Sequence, residues 1–260
     1  MPLSTLWPAC WAGLRRALVP WTCLRVQVLG DSHVRVFEHP RFTLHYPRVD
    51  WRVCYVAGGT ATGLYKPKSL TQTYAKFHAA LAQSQPDLVI LNLGEVDVGH
   101  TIPARAAKLP GSEARYFEVA VTHYIALIDE IRQTRPVVVL SAPLPTLPDR
   151  FDPAGDDVLS TRKTILKSQF DRTAMTLAYN ERLAQACAGR GLVHLDDRQA
   201  SLDPARGLVR PGWQRRDGRA DHHYQRSIYA AWLCRALRPV LHAARPHPPG
   251  GTGLTPPTAP

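Results

Sequence analysis

Five continuous apolar runs punctuate the chain, at Leu24 to Leu29, Val53 to Ala57, "DLVILNLG" from Asp87 to Gly94, "PVVVLSAP" from Pro136 to Pro143 and "GLVHLD" from Gly191 to Asp196. Runs rich in β-branched residues without polar alternation predict strands covered on both faces. Between them apolar residues recur at spacings of three and four: Leu70, Tyr74, Phe77 and Leu81, then Phe117, Val121, Tyr124, Ile128 and Ile131, then Met175, Tyr179, Leu183 and Ala186, the third closed by Gly189 and Gly191. These stripes predict helices with one face packed on a core. A last helix is expected from about Tyr224 to Leu237. Strand and helix alternating about five times predict an α/β fold, an open parallel sheet with helices on both faces. Function in such sheets gathers at the carboxyl ends of the strands. That rule collects Ser32, the glycines Gly58, Gly59 and Gly63, the segment Glu95 to His100, the loop after Leu140 and the "RADHHY" stretch before the last helix.

The pattern divides the 260 residues into an arm at 1–21, one domain at 22–242 and a tail at 243–260 whose "PHPPGGTGLTPPTAP" is too rich in Pro and Gly to pack. In the arm, Trp7, Trp11 and Trp21 surround the pair Arg15 and Arg16, and Pro8 and Pro20 interrupt it. A signal peptide carries its charge ahead of its apolar stretch, so a peripheral arm is expected and export is the alternative. No stretch approaches the length of a membrane span. Five scattered cysteines without a Cys-x-x-Cys pair suggest a reducing, cytoplasmic setting. The formal charge of +11 is spread along the chain, densest in "RRDGR" at Arg215 to Arg219, with no zinc-finger or RNA-binding pattern to organise it. A general basic surface is expected, with no specific nucleic-acid partner.

Candidate chemistry sits in "LGDSHVRVFEHP", Leu29 to Pro40, where Ser32 follows the first strand directly. A serine hydroxyl becomes a nucleophile when a base takes its proton, and a carboxylate orients that base. Asp221, His222 and His223 supply both types of group late in the chain. On the residues alone, a helix cap at Asp31 and Ser32 and a polar surface turn at 221–223 fit equally well.

Taken in order, the segments resemble the blocks of the SGNH/GDSL hydrolases. "GDSH" at Gly30 to His33 is similar to the first block, "GGTATGLYKPKS" at Gly58 to Ser69 to the second, "LGEVD" at Leu93 to Asp97 to the third, and "DHHY" at Asp221 to Tyr224 to the fifth. The helix and strand in "DRTAMTLAYNERLAQACAGRGLVHLD" resemble those that precede the family's Asp-His pair. The resemblance covers about residues 22–240, closest to a branch with a Gly-Glu-x-Asp third block and unassigned substrates. It implies a three-layer α/β/α, flavodoxin-like sandwich with a mostly parallel five-stranded sheet. It also implies Ser32 as nucleophile, His223 as base, Asp221 as its partner, and an oxyanion hole from the backbone N–H groups of Ser32 and of Gly58 or Gly59. The implied reaction is ester hydrolysis or acyl transfer on a small or carbohydrate-linked O-acyl ester, without cofactor.

Two departures from the family pattern matter. The third block usually carries an Asn that donates to the oxyanion, and here Val96 stands in its place, which leaves Asn92 or His100 as substitute donors or backbone donors alone. Glu95 and Asp97 are then expected to bind substrate or to hold the Ser32 loop. The last block is Asp-x-His instead of Asp-x-x-His, which makes His222 the alternative base and Asp217 the alternative partner. His33 is a candidate to bind substrate or to orient Asp31. Lys66, Lys68, Arg105 and Lys108 are candidates to meet a sugar or an anionic acyl carrier, and Leu144 to Leu159 is long enough to cover a site. Competing readings are a non-catalytic binding protein on this fold and, from His33, His100, His222 and His223, a metal-dependent phosphoesterase, although no metal site is expected.

Overall fold

A computed structural model describes residues 23–153, 155–163, 167–215 and 220–244; the N-terminal arm, almost all of the tail and Asp217 lie outside them. Five parallel strands form one sheet in the order β2-β1-β3-β4-β5, with β1 at Leu24–Gly30, β2 at Val49–Tyr55, β3 at Leu88–Asn92, β4 at Val137–Leu140 and β5 at Val193–Leu195. The helices are α1 (Pro40–His45), α2 (Thr73–Ser84), α3 (Ile102–Lys108), α4 (Glu113–Arg132), α5 (Asp157–Lys163), α6 (Gln169–Ala188), α7 (Arg198–Ser201) and α8 (Arg226–Ala243). A short antiparallel pair, β6 (Leu202–Asp203) and β7 (Leu208–Val209), follows α7.

Alternation along each strand divides the apolar side chains between two cores, because successive side chains point to opposite faces. Leu29, Val89, Leu91, Val137 and Val139 face α2, α4 and α6, where Phe77, Tyr124 and Tyr179 are fully buried. Val26, Val28, Leu88, Ile90 and Val138 face the other way, onto Phe37, Phe42 and the α8 residues Tyr229, Leu233 and Leu237. The expected three-layer parallel α/β sandwich is therefore present.

Three boundaries differ from the sequence reading. β2 begins at Val49, four residues earlier than its apolar run, because it is an edge strand and tolerates Asp50 and Arg52, which pair at 2.8 Å. Leu70 is not part of a helix face: α2 starts at Thr73 and Leu70 is fully exposed. α8 starts at Arg226, since Tyr224 and Gln225 are used before it, Leu144 N–H donating to the Tyr224 hydroxyl at 2.6 Å and Gln225 N–H to the Trp213 carbonyl at 2.7 Å. The helix then runs past Leu237 and through Pro239 to Ala243. No helix among the described residues is long and apolar enough to cross a membrane.

β1 and β3 are neighbours, and the connections leaving them run to opposite sides of the sheet, β1 to the edge strand β2 and β3 towards β4. This is the switch point at which open α/β sheets place their sites. The loop after β3 turns at Gly94, whose φ of +126° is one that side chains rarely adopt, and a Cβ there would lie 2.2 Å from the Tyr179 ring. Strain and overpacking both oppose a side chain. Gly94→Ala is expected to lower unfolding free energy by about 3 kcal/mol or more, measured by urea denaturation.

Candidate active site

The turn after β1 carries Asp31, Ser32 and His33 into a short 3-10 helix, Ser32–Glu38. Gly30 is required at the strand end because a Cβ would stand 2.4 Å from the Asn92 carbonyl oxygen of the adjacent strand. Asp31 Oδ1 accepts the His33 backbone N–H at 2.9 Å and pairs with His33 Nδ1 at 2.8 Å. The segment before α8 repeats this geometry: Asp221 Oδ1 accepts the His223 N–H at 2.9 Å and pairs with His223 Nδ1 at 2.8 Å.

The two turns interlock. His223 Nε2 stands 2.9 Å from Ser32 Oγ, and His33 Nε2 stands 3.2 Å from the His222 carbonyl oxygen. Each histidine thus reaches the middle residue of the other turn, and their rings lie 4.6 Å apart. Ser32, His223 and Asp221 are brought into one hydrogen-bonded chain that opens to a cleft of about 630 Å³. His222 is not in that chain; its backbone is used by His33, and burial, followed by the neighbouring His223 and Arg162, pushes its ring pKa down to about 3. Among the described residues, Asp221, His222 and His223 are the group whose ligand atoms lie close enough to hold a metal, within 4.8 Å of one another. Two of the three are already bonded to each other.

Several candidates turn out to hold the fold instead of facing substrate. His33 is buried with both ring nitrogens committed, so it fastens the two turns and offers no free polar atom to a ligand. Glu95 is buried in a bidentate pair with Arg162, at 2.6 and 2.7 Å, with His33 Nδ1 3.9 Å away. Asp97 is buried and accepts the N–H groups of Ala61 and Thr62 at 2.6 and 3.0 Å. Neither carboxylate is exposed to bind substrate. Asn92 is also buried and donates to the Ser141 carbonyl at 2.9 Å, which ties β3 to the β4 loop and removes it as a substitute oxyanion donor. Gly59 N–H closes a turn onto the Val56 carbonyl at 2.8 Å and is not available either.

Two backbone donors remain where the sequence reading located the oxyanion hole. Ser32 N–H is at the start of a helical turn, where no intrahelical acceptor exists. Gly58, at φ +67°, belongs to the loop that Val56 N–H ties to the Gly30 carbonyl at 2.9 Å. His100 is partly exposed, and its Nδ1 has no partner among the described residues. Lys66, Lys68, Arg105 and Lys108 do not line the cleft, whose arginines among the described residues are Arg35, Arg215 and Arg226. The segment from Leu144 begins as core, not as a cover: Leu144 to Leu147 are buried, with Thr146 Oγ1 donating to the Asp221 carbonyl and Arg172 to that of Leu147.

Sequence reasoning missed Arg162 and the Arg215 contact with Asp221 Oδ2 at 3.2 Å. A buried acid such as Glu95 demands a cation, but nothing in the spacing selects Arg162 from the many arginines.

Charge follows geometry. Burial opposes the charged form of His33, yet Asp31 and then Glu95 outweigh it and push its pKa up to about 9. Burial also opposes ionisation of Glu95, and Arg162 followed by His33 holds it well below the usual carboxylate range. Asp221 is likewise held low against burial by the hydrogen bonds from His223. Asp97 goes the other way, pushed up to about 6 by burial despite its two N–H donors.

The five-stranded parallel sheet with helices on both faces is the fold of solved GDSL-like lipases and acetyl xylan esterases. The sequence matches no protein-family model and no curated protein. Among solved structures, a GDSL-like lipase from Bacteroides thetaiotaomicron superposes with a TM-score of 0.57 at 17% identity, covering 89% of this chain and 97% of the other. An acetyl xylan esterase superposes at 0.53 with 14% identity, covering 84% and 100%, and an acetylxylan esterase from Geobacillus stearothermophilus at 0.51 with 16%, covering 84% and 94%.

A raised histidine pKa has a stability consequence. Between the unfolded value of 6.5 and the folded value of about 9, the native state holds a proton at His33 that the unfolded chain does not. Its stabilisation is complete below pH 6.5 and is lost as pH rises towards 9. The slope of unfolding free energy against pH over this window, measured by denaturant titration, is expected to be shallower in His33→Gln than in the native protein.

Proposed function

We propose that the protein is a serine-dependent ester hydrolase or acyltransferase, with Ser32 as nucleophile, His223 as base and Asp221 as its partner. The observation that carries this reading is the Oγ–Nε2–Nδ1–Oδ1 chain at 2.9 and 2.8 Å, assembled from residues 191 apart in sequence. With Asp221 accepting the Nδ1 proton, the neutral imidazole presents its Nε2 lone pair to the serine hydroxyl.

Ser32 Oγ attacks the carbonyl carbon of the ester while its proton passes to His223 Nε2. The oxyanion forms against the backbone N–H groups of Ser32 and Gly58, each such donor contributing on the order of 3 kcal/mol in acyl transfer. As the intermediate collapses, the carbon–oxygen bond to the leaving alcohol breaks and the alkoxide takes the proton from Nε2. Water, or a second alcohol, then attacks the acyl-serine with the same base.

The names of the structural neighbours, esterases and a lipase, favour the ester class, and the two acetylxylan esterases favour a carbohydrate-linked O-acyl group.

A fluorophosphonate probe is expected to label Ser32, located by peptide mass spectrometry, and Ser32→Ala is expected to abolish the adduct; labelling that persists in the variant refutes the assignment. With a p-nitrophenyl ester, His223→Gln is expected to lower kcat by about 10³-fold or more, and His222→Gln by much less. EDTA is expected to leave the rate unchanged, whereas loss on chelation with recovery on adding a divalent metal would favour a metal centre at 221–223.

A further inference from the structure

Charge around the Ser32 cleft is lopsided. Among the described residues, Arg35, Arg215 and Arg226 line it, and Asp221 is the acid among them. Asp221 is already engaged by His223 and by Arg215. Arg35 and Arg226 share one further carboxylate, Glu38 Oε2, at 3.4 and 3.6 Å, both longer than a good charge-assisted hydrogen bond. Their side chains remain 55% and 51% exposed at the cleft.

The two guanidinium groups are nonetheless held in place. Arg35 lies over the Tyr55 ring, 5.1 Å from its centroid, and Arg226 Nη2 donates to the Arg35 carbonyl at 2.9 Å. Arg226 is also the first residue of the eighteen-residue α8, whose N-cap Gln225 makes no side-chain bond and whose first turn has no acid. The positive end of the helix and a cation therefore stand together at the cleft, an arrangement that favours an anion and disfavours the cation alone.

We infer that the substrate carries a fixed negative charge, a carboxylate, phosphate or sulfate, which Arg35 and Arg226 bind beside the ester attacked by Ser32. This rests on the hydrolase reading for the ester but not for the anion. Guanidinium forks suit planar or tetrahedral oxyanions. The charge resides on the acyl group, as in a dicarboxylic half-ester, or on the alcohol, as in an acylated acidic sugar. Arg215 is left out of the anion site because it braces Asp221.

The test compares paired substrates: p-nitrophenyl hemisuccinate against p-nitrophenyl acetate for charge on the acyl side, and O-acetylated glucuronate against O-acetylated glucose for charge on the alcohol. In at least one pair the anionic member is expected to have the higher kcat/KM, through a lower KM, with the advantage shrinking as salt is raised. In Arg35→Gln/Arg226→Gln the anionic-to-neutral ratio of kcat/KM is expected to fall about tenfold, and Arg35→Lys/Arg226→Lys to recover part of it. Both residues are exposed, so the fold tolerates these changes. Equal kcat/KM within both pairs, or a ratio unmoved by the double substitution, overturns the inference while leaving the hydrolase reading intact. If no ester is turned over and Ser32 takes no probe, the hydrolase reading fails, and calorimetric titration of succinate and glucuronate decides the anion site alone. Saturable binding that weakens in the double variant then supports it, and no saturable binding overturns it.

Discussion

Two Asp-x-His turns, at 31–33 and 221–223, grip each other, and the site exists only because they do. In each, one carboxylate oxygen takes both the backbone N–H and the ring Nδ1 of the histidine two residues on. That leaves each Nε2 pointing outward at a fixed angle, one at Ser32 Oγ and the other at the His222 carbonyl. The clasp joins segments 191 residues apart, and the docking of α8 on the sheet holds them together beside it. The shortened Asp-x-His spacing needs no special accommodation, because the tight turn it permits already puts carboxylate on imidazole at 2.8 Å.

Placing charge in the middle of this clasp has to be balanced. Asp31, His33, Glu95 and Arg162 are all buried, two of each sign, and come from the β1 turn, the β3 loop and α5. Removing one partner of such a group leaves a desolvated charge, which is far more costly than the group as a whole is stabilising. The set therefore couples α5 and the β3 loop to the position of Ser32 without contacting a substrate. Topology makes the coupling possible: β1 and β3 are adjacent strands, and their carboxyl ends deliver both loops to the same edge.

How much of this the sequence disclosed depends on range. Buried strands β1, β3 and β4 read as apolar runs because both faces are covered, whereas the edge strand β2 hid its first half behind Asp50 and Arg52. Helices α4 and α6 followed their stripes, but a single exposed leucine, Leu70, extended the α2 stripe where the backbone did not. Ser32, Asp221 and His223 were legible as residue types at strand and helix boundaries. For Glu95, Asp97 and His33 the sequence left a substrate role and an inward role both open, and for Asn92 it suggested only a donor role, since a polar residue in a loop looks the same in sequence whether it meets a substrate or a buried N–H. Partners such as Arg162, Tyr224 and Ser141 are fixed by tertiary placement, and no local pattern selects them.

Val96 stands where the sequence resemblance leads one to expect an asparagine. Val96 is buried, Glu95 is paired with Arg162, and Asp97 holds the Ala61 and Thr62 N–H groups, so all three side chains face inward. On the hydrolase reading, the oxyanion is then left to backbone donors, and their value depends on rigidity, since a preorganised dipole stabilises charge without reorganising. Rigidity is what this segment supplies. Asp97 anchors the loop just beyond Gly58 from one side, and the Val56 N–H to Gly30 carbonyl bond fixes it from the other, directly to the strand that presents Ser32. A carboxylate whose pKa sits near 6 because of burial accepts that penalty in exchange for two backbone N–H groups it alone satisfies. On the hydrolase reading, the segment 93–97 thus acts on the reacting carbonyl by fixing the loop at 58–62 instead of through a side chain of its own.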